Sequence, residues 1–249
     1  RNYLEQANIL CKEGHAVVVM DHQWAGLSSG PQGGIDRGFG IARDLAAVAA
    51  WAHADAPKNE VVLLGTSMGA GAGVVGALTM NDHDRIQLQG PAMPKGINAV
   101  LQGPFFARTS SVANATLAAA GTIPLIKEIP LPATGLPILS GDQATLRKLA
   151  AHATTESLTG RASAFHASTE DLATTKQAID AGKGPTGKVY VIQAEGDTLA
   201  DYQASKTWTA ALGNNAKFHT IVGSTSHVIE ENLAEQKLML DGLKWLDNA

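Results

Sequence analysis

A serine between glycines, an aspartate and a histidine, each just beyond a short β-branched run, are the residues of this chain that could perform covalent chemistry together. Val61-Val62-Leu63-Leu64 leads directly into Gly65-Thr66-Ser67-Met68-Gly69, and a small-residue segment of helical pattern follows over 69–80. Strand, tight turn and helix in that order are what a G-x-S-x-G elbow requires. Side chains at Gly65 and Gly69 are expected to collide with neighbouring backbone, while the turn lifts Ser67 above the sheet. Ser67 then lies at a helix N-terminus, where the Met68 backbone N–H and the helix dipole can stabilise an oxyanion.

A serine hydroxyl attacks a carbonyl only when a base removes its proton, and the base needs a carboxylate to fix its tautomer and stabilise the imidazolium. Asp197, in Ala194-Glu195-Gly196-Asp197-Thr198, follows the strand pattern of 189–193 and is the candidate acid, with Glu195 and Asp201 as nearby alternatives. Gly223-Ser224-Thr225-Ser226-His227 follows the last strand pattern, and of eight histidines only His227 is delivered in this way. The order Ser, acid, His, each just past a strand, carries more weight than any member alone. His22, His53 and His152 read as surface or cap residues.

Two other motifs carry less. Gly71-Ala72-Gly73-Val74-Val75-Gly76 matches G-x-G-x-x-G, but Gly71 falls inside the helix and no strand precedes Asp82 or Asp84, so these small residues are expected to serve close helix packing. Asn81-Asp82-His83-Asp84 lacks partner ligands at zinc-like spacing, so no metal is expected, and the proposed chemistry calls for no cofactor.

Positioning such a site requires a scaffold, and the chain's periodicity supplies one. Strand patterns at 15–20, 60–64 and 97–102 alternate with helical patterns at 2–12, 35–54 and 69–80. The rhythm stops over 105–187, where Pro124, Pro130, Pro132 and Pro137 precede Ala-rich stretches at 143–152, 158–167 and 169–181. It resumes with strands at 189–193 and 217–222 and helices at 200–212 and 229–246. The expectation is an α/β fold: a mostly parallel sheet flanked by helices, with core segments 1–104 and 188–249 bracketing a helical cap at 105–187.

Composition agrees with one large core: 249 residues, 45% hydrophobic and 17% charged. The net charge of -4 arises from interspersed acids and bases, which leaves no basic stripe and excludes nucleic acid as the expected partner. No apolar run reaches the roughly 20 residues needed to cross a bilayer. Cys11 is the single cysteine, so neither an internal disulfide nor a multi-cysteine zinc site is available, and the compartment stays open.

The elbow, acid and histidine segments resemble the α/β-hydrolase superfamily, and further stretches resemble its monoacylglycerol lipase and lysophospholipase branch. Asp21, Gly26 and Ser28 match that branch's D-x-x-G-x-G-x-S loop, and Asp44-Leu45 matches a helical D-L pair. Ser67-Met68-Gly69 repeats an S-M-G core, Leu139-Ser140-Gly141-Asp142 is similar to an L-S-x-D segment of the cap, and Gly242-Leu243-Lys244-Trp245-Leu246 to the branch's closing helix.

The resemblance implies a small-molecule ester substrate with a hydrophobic acyl chain, an apolar cap tunnel over Ser67, and Trp24 and Leu199 as substrate-binding side chains. A short-chain esterase, an amide hydrolase or a noncatalytic ligand-binding relative stand as alternatives, and the Ala-rich cap helices are candidates for a homo-oligomeric contact. The chain departs from the branch at Gln23, Trp24 and Thr66, where arginine, glycine and histidine are usual. The branch's first three strands and its His-Gly oxyanion loop would precede Arg1, so upstream residues are expected in the native protein; otherwise Met68 is the one oxyanion donor that can be named.

Overall fold

The computed structural model describes residues 3–23, 27–29, 40–79, 93–106, 177, 184–227 and 233–248, with backbone alone for 233–235. Most of the expected cap, 107–176 and 178–183 with 139–142 among them, lies outside the described residues, as do Trp24 and Gly26.

Four parallel strands form the described sheet in the order β1 (Val62–Thr66), β2 (Asn98–Gln102), β3 (Val189–Ala194) and β4 (Ala216–Ile221). Helices α1 (Leu4–Lys12) and α2 (Gly40–Asp55) precede the sheet. After β1 comes a π-helical segment, Gly69–Val75, continued by α3 (Gly76–Thr79). After β3 comes α4 (Tyr202–Ala211), and after β4 comes α5 (Leu233–Asn248).

Alternation along the strands explains the layering. Leu63, Ala99, Leu101, Val189 and Val191 turn to one face, where they pack with Ala42, Ala46, Ala49 and Ala50 of α2 and with Val74 and Val75 after the elbow. Val100, Tyr190 and Ile192 turn to the other face and meet Leu10 of α1 and Met239, Leu243 and Leu246 of α5. The small residues of 71–76 are buried within the helical segment. A Cβ on Gly73 would come 3.1 Å from Ile41 Cγ2, the close helix approach expected of that run.

One expected strand is not formed. Residues 15–20 form neither helix nor strand and pair with no described strand, and Val18 and Val19 are half exposed. A β-branched run becomes a strand only through a ladder of hydrogen bonds with a neighbour, and β1 is the outermost strand of the described sheet. The packed part of the segment is Val17, which joins the core beneath β1 with Ile9 and Leu10.

The loop that follows is held by two carboxylates. Asp21 accepts the Leu27 N–H at 3.1 Å, and its carbonyl accepts the Ser28 hydroxyl at 2.8 Å. Asp44 reaches from α2 to accept the Gln23 N–H at 2.9 Å, with His22 Nδ1 at 3.8 Å. Burial pushes the Asp44 carboxyl up, but His22, the Gln23 N–H and the charge of Arg43 outweigh it and hold the group below its ordinary value.

A carboxyl depressed on folding adds stability above its unfolded pKa and loses it as pH falls through the folded value. Asp44→Ala should therefore lower stability by about 1 kcal/mol at neutral pH. Urea melts at a series of pH values should show the gap from the parent protein closing as the medium is acidified through the folded pKa of Asp44.

Candidate active site

Three strand ends deliver the three side chains. At the end of β1, Ser67 adopts φ 53°, the only positive φ of a residue other than glycine among the described residues. Such a left-handed conformation costs a serine about 1–3 kcal/mol, and backbone bonds hold it. Ser67 N–H donates to the Gln102 carbonyl at 2.9 Å. Its own carbonyl accepts from Ala70, Gly71 and Phe105 N–H at 3.0, 3.1 and 3.1 Å.

Gly65 is required by the turn, because a Cβ there would lie 2.7 Å from the Gly69 carbonyl oxygen and 2.8 Å from Ala70 Cα. Gly69 differs from expectation: a Cβ there meets nothing within 4 Å. The close approach is between residue 65 and the backbone of 69–70, so it constrains the first glycine alone.

Asp197 sits in the loop after β3 and is buried. Its Oδ1 accepts the Leu199 and Ala200 N–H groups, both at 2.9 Å, and its Oδ2 accepts Gln193 Nε2 at 3.2 Å. His227, 2% exposed, lies beyond β4 with Nδ1 3.0 Å from each oxygen of Asp197. A carboxylate only accepts, so the Nδ1 hydrogen points to Asp197 and Nε2 is left as an acceptor. The Ser67 hydroxyl occupies that position, 2.6 Å from Nε2.

The alternative acids are engaged elsewhere. Asp201 caps α4 by accepting the Ala204 N–H at 2.9 Å, and Glu195 is exposed in the loop. The acid and histidine loops are stitched together by Glu195 N–H on the Ile221 carbonyl at 3.1 Å and Gly196 N–H on the Ser224 carbonyl at 3.0 Å. Gly103, at the end of β2 with φ 50°, forms the floor: a Cβ there would stand 3.1 Å from the His227 carbonyl oxygen and 3.6 Å from its Nδ1.

Met68 opens the helical segment after Ser67, in the first turn, where backbone N–H groups have no intrahelical acceptor. Leu199 is half-buried and shares an apolar cluster with Met68, Phe105, Phe106, Ala72 and Ala200 beside the serine. Gln193 and Gly103 were not singled out from sequence. The available signal for Gln193 was an amide at the end of an apolar strand, four residues before Asp197. No group of three or more His, Cys, Asp or Glu among the described residues could hold a metal ion, and none of the described helices is long and apolar enough to cross a membrane.

A hydroxyl on a histidine Nε2 and a buried carboxylate on its Nδ1 are suited to attack on a carbonyl carbon followed by release of an alcohol or amine. Residues 1–232 match the hydrolase family model described as serine aminopeptidase, S33. Among solved structures, the monoacylglycerol lipase of Paleococcus ferrophilus is similar with a TM-score of 0.70 at 14% identity, over 98% of this chain and 88% of that one. A soluble variant of the Saccharomyces cerevisiae monoglyceride lipase, in complex with a substrate analog, gives 0.69 at 15% identity, over 92% and 76%. A thermophilic esterase from Thermogutta terrifontis gives 0.65 at 13%, over 98% and 85%. At these identities the likeness establishes the α/β-hydrolase fold. No curated protein sequence matches the chain.

The two glycines of the elbow should respond differently to a methyl group. Gly65→Ala is expected to cost about 1–3 kcal/mol through backbone overpacking and to remove activity by displacing Ser67. Gly69→Ala should leave thermal stability unchanged or slightly raised, and paired thermal melts of the two variants check this.

Proposed function

The chain belongs to the α/β-hydrolase family described as serine aminopeptidase, S33, and on that premise we propose that it cleaves carboxylic esters of a hydrophobic acyl chain, of the monoacylglycerol or lysophospholipid kind. The observation that carries the reading is the continuous hydrogen-bonded line from Ser67 Oγ through His227, at 2.6 Å, to the buried Asp197 carboxylate, at 3.0 Å. In this reading Ser67 is the nucleophile, His227 the general base and Asp197 the residue that orients it.

The reaction runs in two halves. His227 Nε2 takes the Ser67 proton as Oγ bonds to the substrate carbonyl carbon, and the carbonyl oxygen becomes an oxyanion facing the Met68 N–H. The tetrahedral centre collapses as His227 passes its proton to the departing alcohol, leaving an acyl-Ser67 ester. Water then gives a proton to His227 and its oxygen to the acyl carbon, and the second collapse returns the proton to Ser67 and frees the acid. Asp197 keeps its charge throughout and stabilises the imidazolium. No cofactor enters these steps.

The hydrophobic acyl preference is supported by the apolar residues beside the nucleophile, Met68, Leu199 and Phe105. It is also supported by the likeness to a monoacylglycerol lipase and a monoglyceride lipase. Residues 105–187 would form the cap that encloses the acyl chain, with Trp24 near its mouth. The family description, which names an aminopeptidase, favours amide cleavage as the second reading; the same triad serves both leaving groups.

Hydrolysis of p-nitrophenyl esters of rising acyl length, then of a monoacylglycerol and an aminoacyl p-nitroanilide, tests both readings. Ester turnover with an optimum at medium or long chains is expected, and Ser67→Ala should lower kcat by roughly 10⁴- to 10⁶-fold. Turnover of the anilide alone would replace the ester reading with the amide one, and ester turnover retained in Ser67→Ala would overturn the assignment of the nucleophile.

A further inference from the structure

We propose that Gln193 is a positioning residue that locks the carboxylate of Asp197 in the plane His227 requires. The inference rests on the triad reading above and adds to it a residue that touches neither substrate nor serine.

Gln193 has no solvent exposure. It is the fifth residue of β3, on the face where Val189 and Val191 pack into the apolar core, so the alternation would place a hydrophobic side chain there. Its Nε2 instead donates to Asp197 Oδ2 at 3.2 Å and to the Ala200 carbonyl at 3.2 Å. Both partners are acceptors, so the amide orientation is determined: a flip would set its oxygen against two oxygens. Its Oε1 is buried and has no hydrogen-bond partner among the described residues. A leucine or methionine would avoid that unpaired carbonyl. Gln193 is thus placed in an apolar setting with one polar atom unpaired, and its presence is explained by what its nitrogen does.

The turn after Asp197 binds one carboxylate oxygen through the Leu199 and Ala200 N–H groups. Bonds to one oxygen alone leave the group free to swing about it. Gln193 pins the other oxygen and, through the Ala200 carbonyl, ties that turn back to β3. The carboxylate plane is then fixed, with both oxygens 3.0 Å from His227 Nδ1. Around His227, Asp197 is the carboxylate within hydrogen-bond reach among the described residues. Glu195 is exposed, and Asp201 is engaged in capping α4. Removing the Gln193 donor concentrates negative charge on Asp197 and strengthens its hold on an imidazolium at position 227.

The test compares the full chain with Gln193→Met and Gln193→Glu in ester hydrolysis across pH. Gln193→Met matches the side-chain length without the donor. It should lose roughly tenfold in kcat at unchanged KM, a small share of the roughly 10⁴ lost when a triad acid is disabled. The acid limb of its kcat/KM profile should move to higher pH, a change that lowered stability alone would not produce. Gln193→Glu can donate to Asp197 only while it holds a proton, and two carboxyls in one buried site retain a shared proton to raised pH. Its activity should therefore gain an alkaline limb that the parent lacks. Parent-like kcat and pH profiles in both variants would overturn the proposal while leaving the triad intact, as would a loss of activity that tracks a lowered Tm with the profile unmoved. A parent protein without hydrolytic activity, its Ser67 unreactive, would instead remove the triad reading on which the proposal stands.

Discussion

Everything at this site depends on one hydrogen bond, from His227 Nδ1 to the buried carboxylate of Asp197. With the hydrogen of the neutral imidazole held on Nδ1 by Asp197, Nε2 is the acceptor that faces Ser67; without that bond the ring could turn or take the other tautomer, and the hydroxyl would have no base. The bond is short only because two loops from adjacent strands are clamped together. Backbone bonds join residue 195 to Ile221 at the end of β4 and residue 196 to Ser224 in the loop beyond it, and Gly103 at the end of β2 leaves room for the imidazole and carboxylate above it. A parallel sheet suits this task, since all its strands end on the same edge and can present loops to one point.

The same edge accounts for the conformation of Ser67. A left-handed serine is unfavourable by itself, and it persists because its N–H and carbonyl are committed to Gln102, Ala70, Gly71 and Phe105. Behind it, the segment Gly69–Val75 packs against the alanine face of α2, with Gly73 set close to Ile41. Small side chains let the helical layer sit near the sheet and keep the elbow backbone rigid. The strain at Ser67 is therefore supported by packing of the following segment against α2.

The parts of this design that were legible in the sequence are those written locally. A β-branched run ending in glycine, then serine, then a small-residue helix, specifies the elbow, and the placement of Asp197 and His227 past β3 and β4 follows from the same rhythm. What was not legible depends on contacts distant in sequence. Residues 15–20 have the composition of a strand, but pairing needs a neighbour that periodicity cannot supply. Gly65 and Gly69 look equivalent in the motif, yet only the first faces backbone at 2.7 Å. Asp197 and Asp201 are separated by what their carboxylates bind, a histidine thirty residues away in one case and the N–H of Ala204 in the other. Gln193 reads as an ordinary strand residue until the turn after Asp197 folds back upon it.

The measurement that most directly tests the account is the site of covalent labelling by a fluorophosphonate, read by mass spectrometry of the digested protein. A single adduct on the peptide carrying Ser67, abolished when His227 is replaced by alanine or when the protein is unfolded before labelling, is the predicted result. An adduct on another serine, or labelling of Ser67 that persists without His227, would contradict the claim that these three side chains act as one nucleophilic unit.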